Sequence, residues 1–97
     1  MMNQALLQVT HELIRKDFEI HVAFSEEQIK AALAEVLVQL LLHDLEKLWN
    51  ILYRIDVDES KVKALFSASD AKLIAPQLAH LIYKRVEQKA LTRLQFK

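Results

Sequence analysis

Not one of the 97 residues is glycine, and this constrains the fold more than any motif the chain carries. Glycine ordinarily makes up roughly 7% of a sequence, and it supplies positive φ and close backbone approach without steric cost. Its absence excludes by residue type a Walker loop, the dinucleotide-binding fingerprint, the kinase glycine-rich loop and the glycine elbow of serine hydrolases. Cysteine is missing as well, which removes disulfide scaffolds, thiol nucleophiles and zinc fingers or ribbons. Seventeen leucines and eleven alanines leave a helix-forming chain, and its length predicts a single helical domain over 1–97 with one core. A left-handed stop without glycine is costly. The helices are therefore expected to end by meeting the next N-cap, or by pairing their last carbonyls with water or basic side chains.

The first helix is read over 3–16, with Met2, Leu6, Val9 and Leu13 at four-three-four spacing and Ala5 and Ile14 beside them. The period then changes. Phe18, Ile20, Val22 and Phe24 alternate with Glu19, His21 and Ala23, as in a half-buried strand. A lone strand needs a partner. Segment 18–24 is thus an extended connector, a ribbon paired with its copy in a second subunit, or a stretch drawn into helix by packing.

Ser25 and Gln28 form a capping box, and Phe24 and Ile29 a hydrophobic staple. The helix they open meets no breaker until about Ile55, and Ala31, Ala34, Val38, Leu41, Leu45, Leu48, Leu52 and Ile55 follow coiled-coil spacing. A second stripe, Leu33, Leu37, Leu40 and Ile51, and a third, Leu42, Trp49 and Tyr53, widen the apolar face. Between Val36 and Leu42 only Gln39 is polar, so this segment is expected to be surrounded. Asp58 is the expected cap of a short helix, 59–66, with Val57 and Val62 as its staple. Ser67 or Ser69 should cap the last helix, in which Pro76 marks either a kink or a fresh start.

The net charge of zero hides an asymmetry. Residues 1–71 carry seven Lys/Arg against twelve Asp/Glu, net −5, and residues 72–97 carry six against one, net +5. The longest weakly polar run, Ala31 to Leu42, is too short for a membrane span of about 20 residues. No charged-then-apolar leader opens the chain. A soluble, cytoplasmic protein with no membrane contact is the expectation.

Chemistry finds little support. Neither a Glu-x-x-His pair nor HExxH occurs, since His11-Glu12 is followed by Arg15 where a histidine is required. His43 with Glu46 could supply half a metal site that His80 would face, but a polar stripe at a packing edge explains them better. The serines sit at expected helix starts. We therefore expect no enzyme, no catalytic or metal-binding residues and no cofactor. Lys84, Arg85, Lys89 and Arg93 make the last helix basic, the pattern of a nucleic-acid-associated regulator. The acidic first segment and the helix macrodipole account for the same charges without nucleic acid. A pocket beside Trp49 and Tyr53, with His43 or His80 as polar contact, is a weaker ligand reading.

Association is better supported. An apolar segment, a heptad seam and an unpaired strand-like stretch are more than a small domain can readily bury. The sequence thus predicts an all-α, compact bundle of about four helices around one long central helix. It would act as a non-enzymatic interaction or structural module, as a homodimer or with a protein partner. The expected interface is Val36, Leu37, Leu40 and Leu42, with Phe18, Ile20 and Val22 pairing across a two-fold axis.

Overall fold

The computed structural model describes residues 4–21, 25–67 and 70–95. The readings of Met2, Val22, Phe24 and Ser69 lie outside the described residues. Five helices occur among the described residues: α1 (Gln4–Phe18), α2 (Glu26–His43), α3 (Leu45–Ile55), α4 (Glu59–Phe66) and α5 (Ala71–Gln95). The all-α reading holds, but the long central helix is two helices.

The break is at Asp44, whose φ of −153° and ψ of 67° are not helical. Its N–H still donates to the Leu40 carbonyl at 2.9 Å, closing α2. Its carboxylate accepts the Lys47 N–H at 3.1 Å, opening α3. Aspartate is a poor interior residue because its side chain competes for nearby N–H groups, and a good N-cap for the same reason. Glu46 in the first turn of α3 adds a favourable charge at the helix start.

This break resets which face is buried. In α3 the seam members Leu48, Leu52 and Ile55 are buried together with Ile51, while the seam member Leu45 is exposed. In α2 the buried stripe is Ile29, Leu33 and Leu37. The expected seam member Ala31 is exposed, while Ala34, Val38 and Leu41 are half-buried. A heptad seam stays on one side only along a continuous helix, and at Asp44 the helix is not continuous.

Ser25 opens α2 through the expected capping box, with Gln28 N–H to Ser25 Oγ at 3.1 Å and Ser25 N–H to Gln28 Oε1 at 3.2 Å. Asp58 caps α4, accepting from the Ser60 and Lys61 N–H groups. Ser67 does not cap α5. It ends α4, with Oγ donating to the Ala64 carbonyl at 2.7 Å. Asp70 starts α5 instead, its carboxylate accepting the Lys72 N–H at 2.9 Å. α5 runs on through Pro76, where the missing N–H deprives the Lys72 carbonyl of its usual partner.

Two helices end in the left-handed region without glycine, contrary to the sequence expectation. Glu19 has φ 55° and Asp56 φ 63°. After α1, Ile20 N–H donates to Arg15 carbonyl at 3.1 Å; after α3, Val57 N–H reaches Leu52 carbonyl at 3.2 Å. Both are the six-to-one bond of a Schellman stop. The left-handed conformation costs an L-residue roughly 1–2 kcal/mol, and burial of Ile20 and Ile55 on either stop helps offset it. Phe18 is accordingly the last residue of α1, and 18–21 is a helix stop. No strand occurs among the described residues.

α5 is the hub, touching each of the other four helices. Leu78, Ile82, Tyr83 and Ala90 on it are wholly buried. On α1 the buried residues are Thr10, His11, Ile14 and Phe18, while Leu6, Val9 and Leu13 are half-buried. The buried face is therefore one position round from the apolar stripe expected from hydropathy. Two polar residues occupy it.

Candidate functional site

Thr10 and His11 can be buried because their polar atoms are satisfied within the protein. Thr10 Oγ1 donates to the Leu6 carbonyl at 2.7 Å. His11 Nε2 lies 3.0 Å from Tyr83 Oη, with the two rings edge to face at 5.8 Å. This contact ties α1 to α5. α2 joins through its first turns: Lys30 Nζ pairs with Glu26 at 2.8 Å and sits 4.9 Å from the centre of the Tyr83 ring. It also approaches His80 Nδ1 at 3.4 Å. The tyrosine, two histidines and ion pair form one polar seam across three helices.

Burial, then the charge of Arg15, hold the His11 imidazole below its ordinary pKa, while Glu26 opposes them weakly. Burial also pushes the Tyr83 phenol well above its ordinary range, helped by the Glu26 and Glu87 charges and a hydrogen bond with Glu26. The hydrogen bond from Lys30 keeps the Glu26 carboxyl below its usual value. The seam therefore holds a neutral imidazole, a protonated phenol and a carboxylate. His11 Nε2 and the Tyr83 hydroxyl share one hydrogen bond, whose direction follows the imidazole tautomer. Among the described residues no buried side-chain nitrogen or oxygen lacks a partner. This arrangement orders helices.

The residues singled out for a metal or ligand are dispersed. His43 and Glu46 are exposed at the α2–α3 junction, and His80 stands beside Lys30. No cluster of three or more metal-ligating side chains occurs among the described residues. Trp49 and Tyr53 do share a pocket of about 150 Å³ with Leu52, Val57 and Val62, but neither His43 nor His80 lines it. That volume is below the roughly 300–1,000 Å³ of small-molecule sites. It suits a single side chain.

The basic residues of α5 turn inward in part. Arg85 Nε donates to the Ile55 and Asp56 carbonyls at 3.3 and 3.0 Å, and Lys89 Nζ to the Arg54 carbonyl at 3.0 Å. These are the free carbonyls at the end of α3. Arg85 also reaches the Asp56 carboxylate at 3.4 Å, and Lys84 pairs with Glu87 at 3.6 Å. Arg93 is exposed. The sequence sets phosphate against the macrodipole and the acidic first segment as partners for these charges, and half of this set caps another helix of the same chain.

Of the expected interface, Leu37, Phe18 and Ile20 are buried in the chain's own core. Val36 and Leu40 pack partly against that core, and Leu42 is exposed. The exposed apolar surface lies further along. Leu42 is 61%, Leu45 43% and Tyr53 72% accessible. Leu45, Trp49 and Tyr53 follow at i, i+4 and i+8, one line along α3. Trp49 is half-buried, its ring meeting Phe66 of α4 edge to face at 5.3 Å.

No protein-family model matches the chain, nor does any curated protein or solved structure. No helix among the described residues is long and apolar enough to cross a membrane.

Proposed function

We propose that the protein is a non-enzymatic interaction or structural module of the cytoplasm that works as a homodimer, with α3 as its contact helix. The observation that carries this reading is the line Leu45, Trp49 and Tyr53, of which Leu45 and Tyr53 are exposed. Tyrosine and tryptophan beside a small pocket are the residue types that most often anchor an interface. The spacing is self-complementary. If two α3 helices pack antiparallel about a two-fold axis at Trp49, Leu45 of each copy meets Tyr53 of the other and Trp49 meets its own symmetry mate. The pocket between Trp49 and Val62 is then filled by a partner side chain. A stable dimer needs about 800 Å² from each copy, so the contact also takes in Leu42 and the polar rim of α3.

Sedimentation equilibrium between 5 and 500 micromolar tests it. The expected mass is twice 11.3 kDa. Tyr53→Glu together with Leu45→Lys, both at exposed positions, should return the monomer with an unchanged helical spectrum. A wild-type monomer throughout that range, or a dimer unaffected by the pair of substitutions, overturns the reading.

A further inference from the structure

We infer that the groove between α4 and α5 is a second docking surface, and that it takes an acidic amphipathic helix of a partner protein. At one end, Lys61, Ala64 and Leu65 of α4 face Pro76, His80 and Leu81 of α5 across an open space of about 550 Å³. Lys61 and Leu81 also line the adjoining space of about 290 Å³, which continues to Gln88. The two spaces make one trough. From Pro76 to Gln88 it runs about 18 Å along α5 at 1.5 Å per residue, room for about three turns of a docked helix. The floor at the first end is apolar, built from Ala64, Leu65, Pro76 and Leu81, so the occupant must bring an apolar stripe.

The charge along the walls selects its flanks. No acidic residue lines the first end, and Lys61 is on the α4 wall. On the α5 wall, His80 receives Lys30 at Nδ1, 3.4 Å away. An ammonium group can only donate, so Nδ1 is the accepting nitrogen and Nε2 carries the proton. His80 therefore carries its N–H donor on Nε2, and it lines the same end of the trough as Lys61. Two donors across an apolar floor match a carboxylate beside a leucine. At the second end Glu87 is engaged by Lys84 at 3.6 Å and Arg85 by Asp56 at 3.4 Å, and Asp58 lines the wall beside Lys61 with the opposite charge, so the positive sign of the groove is set at its first end. The surface uses none of Leu45, Trp49 and Tyr53, so it stands independently of self-association.

Three fluorescein-labelled 14-residue helical peptides test this on the full chain: leucines on one face with glutamate flanks, the same leucines with lysine flanks, and glutamate flanks with serine for leucine. Anisotropy should show the leucine–glutamate peptide binding at least tenfold more tightly than either control, about one charge contact's worth of discrimination. Backbone amide shifts in a proton–nitrogen spectrum should move in 61–65 and 76–88. Lys61→Glu, at an exposed position, should weaken that peptide at least tenfold and improve the lysine-flanked one; Ala64→Glu, also exposed, should weaken the first. Equal binding of the two leucine peptides, shifts confined to α3, or no binding at 1 mM overturns the proposal. So do concentration-dependent shifts of 61–65 and 76–88 without peptide, because they would mean that a second copy fills the groove.

Discussion

Tyr83→Phe isolates the polar seam. The substitution keeps the ring, which is wholly buried, and removes only the hydroxyl that meets His11 at 3.0 Å. No cavity of note opens, so transfer and packing terms stay nearly constant. What changes is that Nε2 of a histidine only 3% exposed loses its partner. Stranding a buried polar group costs about 1–3 kcal/mol, and Lys30 over the ring face is unaffected, because a phenylalanine ring keeps the cation–π contact. A loss of about 2 kcal/mol is expected, which for a chain of this size lowers Tm by roughly 10 °C.

The assay is urea unfolding followed by far-ultraviolet circular dichroism, with the midpoint falling and the slope unchanged. His11→Leu and the double variant complete a cycle. Removing both polar partners leaves no stranded group, so the double variant should be less destabilised than the two single losses added together, with a coupling of about 1–2 kcal/mol. If Tyr83→Phe lies within about 0.5 kcal/mol of wild type, the usual effect of a neutral surface change, the argument that this bond permits histidine burial is wrong.

The remaining predictions use the same measurements. His11 has a depressed native pKa against 6.5 for the free group, so below 6.5 the unfolded chain takes up protons that the native chain resists. Its contribution to stability is full above that pH and declines as pH falls from there to the native value; His11→Leu should flatten this part of the profile, and an unchanged slope would refute the assignment. Glu26, also depressed, from 4.5, gives a separate loss at lower pH that Glu26→Gln should remove. Glu19→Gly relieves a left-handed residue with φ 55° and should raise stability by about 0.5–1 kcal/mol; a lower urea midpoint would count against the strain. Lys89→Ala breaks a bond to the α3 terminus and should cost about 1 kcal/mol, whereas Arg93→Ala should cost nothing measurable. Equal losses in the two would mean that α3 capping is not what Lys89 contributes.

Local signals were the legible part of the fold. Ser25 with Gln28, and Asp58 before Ser60 and Lys61, each satisfy N–H groups within three residues, a reach that sequence spacing describes fully. Asp44 was legible too, as an aspartate followed by Glu46 at a helix start, but the unbroken leucine spacing on both sides masked it. Hydropathy favours continuity; a cap overrides it when the helix can turn and bury a different stripe. The His11–Tyr83 contact was not legible. Its partners are 72 positions apart, and a histidine on an apolar face reads as an interruption until the group that satisfies it is known. Arg85 and Lys89 failed for the same reason, since the carbonyls they meet are backbone atoms and leave no mark in a sequence.

The missing glycine bears on how these parts depend on one another. Both left-handed stops fall on acidic residues that are exposed at their side chains, Glu19 and Asp56, so the backbone conformation there is imposed by what surrounds it. At Asp56 the source is visible: Arg85 holds the two carbonyls on either side of the turn, and Val57 beyond it packs against the core. A glycine would make that turn without help. Because aspartate does not, the end of α3 is tied to the placement of α5, and the pocket between Trp49 and Val62 inherits the same dependence. Losing Arg85 should therefore loosen the α3–α4 surface as well as the helix end, and Trp49 fluorescence would report that coupling before global unfolding.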